Sequence, residues 1–131
     1  PDAGAVARRE SKFAWAELLR QQDRRADAVK LYRELAADVR SKEGSAAAYY
    51  VLEDTFEKGD MDKTEKAIFA YSEREPQAYW LAKAFILLGD VYVRKGDNFQ
   101  ARATYQSVAD GYSPADDGIV DEAKERIAKL N

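Results

Sequence analysis

The sequence predicts an all-α chain of about three helix-turn-helix units, followed by a C-terminal capping helix. Three observations carry this expectation. Breakers are scarce, with 7 Gly and 3 Pro in 131 residues, and the period-2 alternation of strands is missing. The tripeptide Lys-Gly-Asp occurs at 58–60 and again at 95–97, 37 residues apart. Between these breaks, apolar residues return at helical spacing. Glycine supplies the left-handed backbone that ends a helix, and the aspartate after it accepts from the free N–H groups of the next. Each tripeptide therefore reads as a tight corner between antiparallel helices, and spacing of this size suggests a stacked repeat.

The units follow in order. In the first, about 9–42, Trp15, Ala16 and Leu19 mark one helix face, and Ala28, Tyr32 and Leu35 the next. Gln22-Asp23-Arg24 reads as a corner without glycine. The second, about 45–78, carries Ala48, Val51, Phe56, Thr64 and Ile68 around the Gly59-Asp60 corner, and Pro76 closes it. Extra residues within 76–81 are expected to lengthen the start of the following helix. The third, about 82–115, places Phe85, Leu88, Gly89 and Tyr92 at i, i+3, i+4 and i+7. Ala101, Tyr105 and Val108 follow its corner, and Pro114 ends it. The tail, about 116–131, starts a helix at Ser113-Pro114 or at Asp116-Asp117. Its apolar stripe is Ile119, Ala123, Ile127 and Leu130, with Asp121, Glu122, Lys124, Glu125 and Lys129 off the stripe. Such a one-sided helix suits the open end of a stack.

The third unit resembles a tetratricopeptide repeat, whose pattern is aromatic-x-x-Leu-Gly-x-x-Tyr, Ala-x-x-x-aromatic, Pro. Phe85, Leu88, Gly89, Tyr92, Ala101 and Tyr105 match it, and Pro114 falls one residue late. The second unit departs from the pattern where Leu52 takes the glycine position and Thr55 the tyrosine. The resemblance implies a right-handed α-solenoid. It also implies close helix crossings at Gly89 and Ala101, with Leu88, Tyr92 and Tyr105 filling the space around them.

Composition narrows function independently. With 46% apolar and 34% charged residues, the chain has the core of one domain, and no run is long and apolar enough to span a membrane. Twenty-one basic against 24 acidic residues leave a net charge of −3, so the basic footprint of a nucleic-acid binder is missing. There is no cysteine and no histidine. That removes the thiol nucleophile, the imidazole proton carrier and the commonest metal ligands. No phosphate loop, zinc spacing or EF-hand is present, and Asp116-Asp117-Gly118 lacks the ligand series of a calcium loop. Glu53 and Glu57 are spaced as a solvated helix face rather than an acid–base pair. The expectation is a protein that is not an enzyme and uses no cofactor, metal or catalytic residue. The chain begins at Pro1 with neither an initiator Met nor a signal-like stretch, so it reads as part of a longer protein.

In tetratricopeptide repeats the first helix of each pair lines a concave groove for a partner protein or peptide. Carried over by position, the resemblance places Glu10, Phe13, Glu17 and Arg20 in the groove from the first unit. The second supplies Tyr49, Glu53, Phe56 and Glu57; the third Lys83, Ile86, Asp90, Val93 and Arg94. Glu17, Tyr49, Glu53, Phe56, Lys83, Asp90 and Arg94 are the expected contacts. The row Glu17, Glu53 and Asp90 suggests a partner with basic residues and apolar anchors. Adjacent helical residues point about 100° apart, so one member each of Tyr49-Tyr50 and Tyr79-Trp80 is expected on the open face. The alternative is structural: self-association into a homo-oligomer, or docking on neighbouring repeats. The Lys-Gly-Asp corners and Tyr79–Phe85 also resemble repeat regions of bacterial cell-envelope proteins, implying a periplasmic or outer-membrane-associated setting, otherwise a cytoplasmic one.

Overall fold

A computed structural model describes residues 3–114 and 116–130. Seven α-helices follow one another: α1 Ala3–Gln21, α2 Arg25–Leu35, α3 Lys42–Glu57, α4 Met61–Glu73, α5 Ala78–Arg94, α6 Asn98–Gly111 and α7 Ile119–Ala128. A 3₁₀ turn, Ala36–Asp38, follows α2. No strand occurs among the described residues. The expected unit end at Ala115 and helix end at Asn131 lie outside them.

The corners form as their residues require. Gly59 (φ 91°) and Gly96 (φ 79°) take the left-handed conformation, and Asp60 and Asp97 cap α4 and α6 by accepting from the backbone N–H groups of Lys63 and Gln100 at 3.0 Å. At the first corner Asp23 takes that conformation itself, with φ 62°. Aspartate tolerates it better than most residues, so the corner needs no glycine. The last helix starts at Ile119, after Gly118 with φ 88°. Asp117 accepts from the Ile119 backbone N–H at 3.2 Å.

Burial repeats with the corners. Tyr32, Ile68 and Tyr105, spaced 36 or 37 residues apart, are all at most 1% exposed. Ala28, Thr64 and Ala101 are buried at equivalent places, as are Leu35, Tyr71 and Val108. Opposite the Tyr32, Ile68 and Tyr105 series stand Ala16, Leu52 and Gly89. The smallest residue, Gly89, meets a tyrosine, while at the equivalent positions of the second pair the bulky Leu52 and Ile68 are both buried in one cluster. A Cβ on Gly89 would overlap the Tyr105 ring.

Each second helix packs on the first helix of the next pair: α2 on α3, α4 on α5, and α6 on α7. The first helices also touch in series, α1 on α3, α3 on α5 and α5 on α7, whereas α2 and α4 do not touch, nor do α4 and α6. Two apolar clusters result. One centres on Ala16, Tyr32 and Ala47, the other runs from Val39 to Ala123, and Tyr50 packs against both. Ile119 and Ala123 of α7 are buried and Ile127 and Leu130 pack beside them. Trp15 departs from its expected place, being 59% exposed beside the buried Ala16. Its equivalents Val51 and Leu88 are covered by the preceding pair, and no helix among the described residues precedes α1 to cover Trp15.

A polar knot joins the first two pairs. Ser41 caps α3, accepting from the Gly44 backbone N–H at 2.9 Å. Ser45 is fully buried, donates to the Val39 carbonyl and accepts from the Gln77 backbone N–H at 2.9 Å. The Tyr71 hydroxyl donates to the Ser45 carbonyl at 2.7 Å. Gly44 lies so close to the Asp38 carbonyl that a Cβ there would overlap backbone.

Candidate binding face

The contact series α1, α3, α5, α7 carries the expected contact residues along one row. The structure divides them into three groups. At the α1 end, Glu17 accepts from the Tyr32 hydroxyl and pairs with Arg20 at 2.8 Å. Arg20 lies 4.5 Å over the Tyr50 ring. Its guanidinium is pushed above its ordinary range, chiefly by hydrogen bonding to Glu17. Phe13 reaches the same place, 6.2 Å from the Tyr32 ring, while Glu10 is exposed at the margin.

The middle group is aromatic. The rings of Tyr32 and Tyr50 are 5.0 Å apart, Tyr50 and Trp80 5.6 Å, and Trp80 and Tyr79 5.0 Å. These contacts, in tilted or edge-on geometry, tie the three pairs together. Tyr49, expected as a groove contact, is 6% exposed and belongs to the core; Trp80 stands 5.6 Å from its ring. Tyr50 and Trp80 are half-buried and carry the accessible aromatic surface. Ile86 is likewise buried, at 2%. Both belong to the apolar cluster that α3, α5 and α7 share. Lys83 lies 5.8 Å from the Tyr49 ring and pairs with Glu122 of α7 at 3.2 Å.

Glu53 occupies the centre of the row. It is half-buried, and burial, reinforced by Glu57, pushes its carboxyl above the ordinary range. The repeat also sets Glu53 apart in its hydrogen bonding. Glu17 and Asp90 each receive the hydroxyl of a tyrosine 15 residues further on, Tyr32 and Tyr105. The residue so placed for Glu53 is Ile68, which has no hydroxyl. The neighbouring Glu57 is held by Arg25, which also reaches Asp54 at 3.1 Å.

At the far end, Asp90, Phe56 and Arg94 come together. Asp90 accepts from the Tyr105 hydroxyl and from Arg126 of α7 at 3.0 and 3.3 Å. The Arg94 guanidinium lies 4.7 Å over the Phe56 ring, and Val93 is 40% exposed beside it. The row Glu17, Glu53, Asp90 is therefore not a line of equivalent free carboxylates, since its two ends are hydrogen-bonded within the protein. Arg126 and Leu130 are contributors that the sequence reading missed. The i, i+4 spacing of Glu122 and Arg126 was the available signal; it places both on one side of α7.

Among the described residues no group of acidic side chains has metal-site geometry, and no helix is long and apolar enough to cross a membrane. The chain matches no family model, no curated protein and no solved structure.

Proposed function

We propose that this chain is a non-catalytic binding module built as a right-handed α-solenoid of tetratricopeptide-like pairs, and that it holds a partner peptide or helix along the row α1, α3, α5. The observation that carries this reading is the contact pattern of the helices. The first helices approach one another in series and the second helices do not, which supports reading the first-helix row as the inward side of a curved stack. That side presents half-buried aromatic surface at Tyr50, Trp80 and Phe56 with charged groups between, the mixture found at protein recognition sites. The repeated burial pattern supports the same architecture.

Site-specific photo-crosslinking tests this. A benzoylphenylalanine replacing Phe56 or Val93 is expected to yield discrete partner adducts in a lysate of the source cells. The same probe replacing Phe69 on α4 or Phe99 on α6, both exposed, is expected to yield none. Adducts spread equally over the four positions would count against the reading. Alanine at Tyr49 is unsuitable as a control, because it would empty core volume.

One observation favours a structural role as the second reading. Trp15 and Leu18 are 59% and 51% exposed on the outer face of α1, where the equivalent residues of α3 and α5 are packed by the preceding pair. A monomeric mass by light scattering at every concentration would remove self-association through that face.

A further inference from the structure

The three far-end residues of the row belong to a cleft of about 310 Å³ between the C-terminal ends of α3, α5 and α7. Its apolar surface comes from Phe56, Val93 and Leu130, and its cations are Arg94, Arg126 and Lys129. The one carboxylate in it, Asp90, is already satisfied by the Tyr105 hydroxyl and the Arg126 guanidinium. Arg126 is thereby occupied, but the other two cations are not. Arg94 makes no ion pair among the described residues. Its guanidinium carbon lies 4.7 Å from the Phe56 ring centroid, a cation–π contact that uses none of its N–H donors. Lys129 has only Glu125, at 3.9 Å, and both side chains are about 70% exposed, so the pair holds it weakly. Further along the same face Arg20 is engaged by Glu17 and Lys83 by Glu122, and Arg25 of α2 is engaged by Asp54 and Glu57. At this end of the row the two cations without a strong partner, Arg94 and Lys129, thus stand next to accessible apolar surface.

We propose that this cleft receives an acidic partner segment, with an Asp or Glu side chain on Arg94 and Lys129 and an adjacent aliphatic side chain against Phe56, Val93 and Leu130. The inference rests on the peptide-binding reading of the row and specifies its chemistry. It reverses the charge expected of the partner from the carboxylate row alone. The guanidinium fork suits a carboxylate, and the cleft's one carboxylate side chain is already matched.

The test is an amide-shift titration of the whole chain with acetyl-Ala-Leu-Glu-Leu-Glu-Ala-amide, whose blocked ends leave side-chain carboxylates as its only charges. The expected result is saturable shifts at Phe56, Val93, Arg94 and Lys129. Replacing both Glu by Gln should weaken binding by about tenfold or more, the worth of a hydrogen bond to a charged group. The Arg94→Ala/Lys129→Ala variant should lose affinity to a similar extent while melting with the parent, since neither side chain is buried. Equal affinity for the Gln peptide, stronger binding of a Lys-for-Glu peptide, or no binding would overturn the proposal. Shifts confined to Tyr50 and Trp80 would also overturn it, yet would leave the peptide-binding reading of the row standing.

Discussion

Gly89 of α5 lies directly beneath the ring of Tyr105 of α6, leaving no room for a Cβ. The ring is held from the other side of the contact as well, since the Tyr105 hydroxyl donates to Asp90, the residue after Gly89. Gly89→Leu should therefore overpack the crossing and destabilise the chain by about 1–3 kcal/mol. The second pair suggests a remedy, because at the equivalent positions it buries Leu52 and Ile68 in one cluster. Adding Tyr105→Ile to Gly89→Leu imports that combination and should recover part of the loss. Thermal melts of the single and double variants check this; a double variant no more stable than the single would dismiss the compensation.

Gly44→Ala meets a harder neighbour. Its Cβ would overlap the Asp38 carbonyl, which is backbone and cannot rotate away as a side chain does. The 3₁₀ turn must shift, and Ser45 and Gln77 depend on its position. A loss of about 2 kcal/mol or more is expected in urea denaturation. Gly111→Ala, where a Cβ meets nothing, should stay within about 0.5 kcal/mol of the parent.

Glu53 carries a pH signature. Its carboxyl is raised in the folded chain by burial and by Glu57. The stability linked to it is therefore full below the ordinary glutamate value of 4.5 and declines as pH rises through the higher folded value. Glu53→Gln removes that decline. The variant should be more stable than the parent at pH 7, and the difference should vanish near pH 4. Urea midpoints at the two pH values measure it, and a difference independent of pH would refute the assignment.

Lys95 links pairs in the opposite sense. It bridges Asp62 and Glu65 of α4, and its hydrogen bonds hold both carboxyls below their ordinary values of 3.8 and 4.5. Stability from this contact is present above those values and is lost as pH falls through the depressed ones. Lys95→Gln should flatten the acid limb of the stability curve below about pH 4.5 and leave the slope near neutrality unchanged. Urea midpoints between pH 2.5 and 5 would show it; an unchanged acid limb would exclude the linkage.

The all-helical fold was legible because its signals are local. Glycine at 59 and 96 and aspartate at 60 and 97 fix the corners from within three residues, and the structure uses them in those roles. Asp23 could be placed by its spacing from the other two corners, although no glycine marks it. The candidate face was harder to read, because exposure depends on neighbours distant in sequence. Tyr49 and Tyr50 are indistinguishable as letters and stand equally far from Trp80, yet the fold makes one core and the other half-accessible. The carboxylate row looked uniform for the same reason. Its difference lies 15 residues away, in whether a tyrosine or Ile68 faces the acid.

The closing helix has a double duty. Its Glu122 and Arg126 clasp Lys83 and Asp90, side chains of the same surface that a guest would touch. If a guest binds there as proposed, its occupancy and the docking of α7 become coupled equilibria, and reciprocity requires each to tune the other. A guest that reinforces the clasp should slow amide exchange along 119–128, and one that competes for Asp90 should hasten it, so the far terminus reports on events along the row.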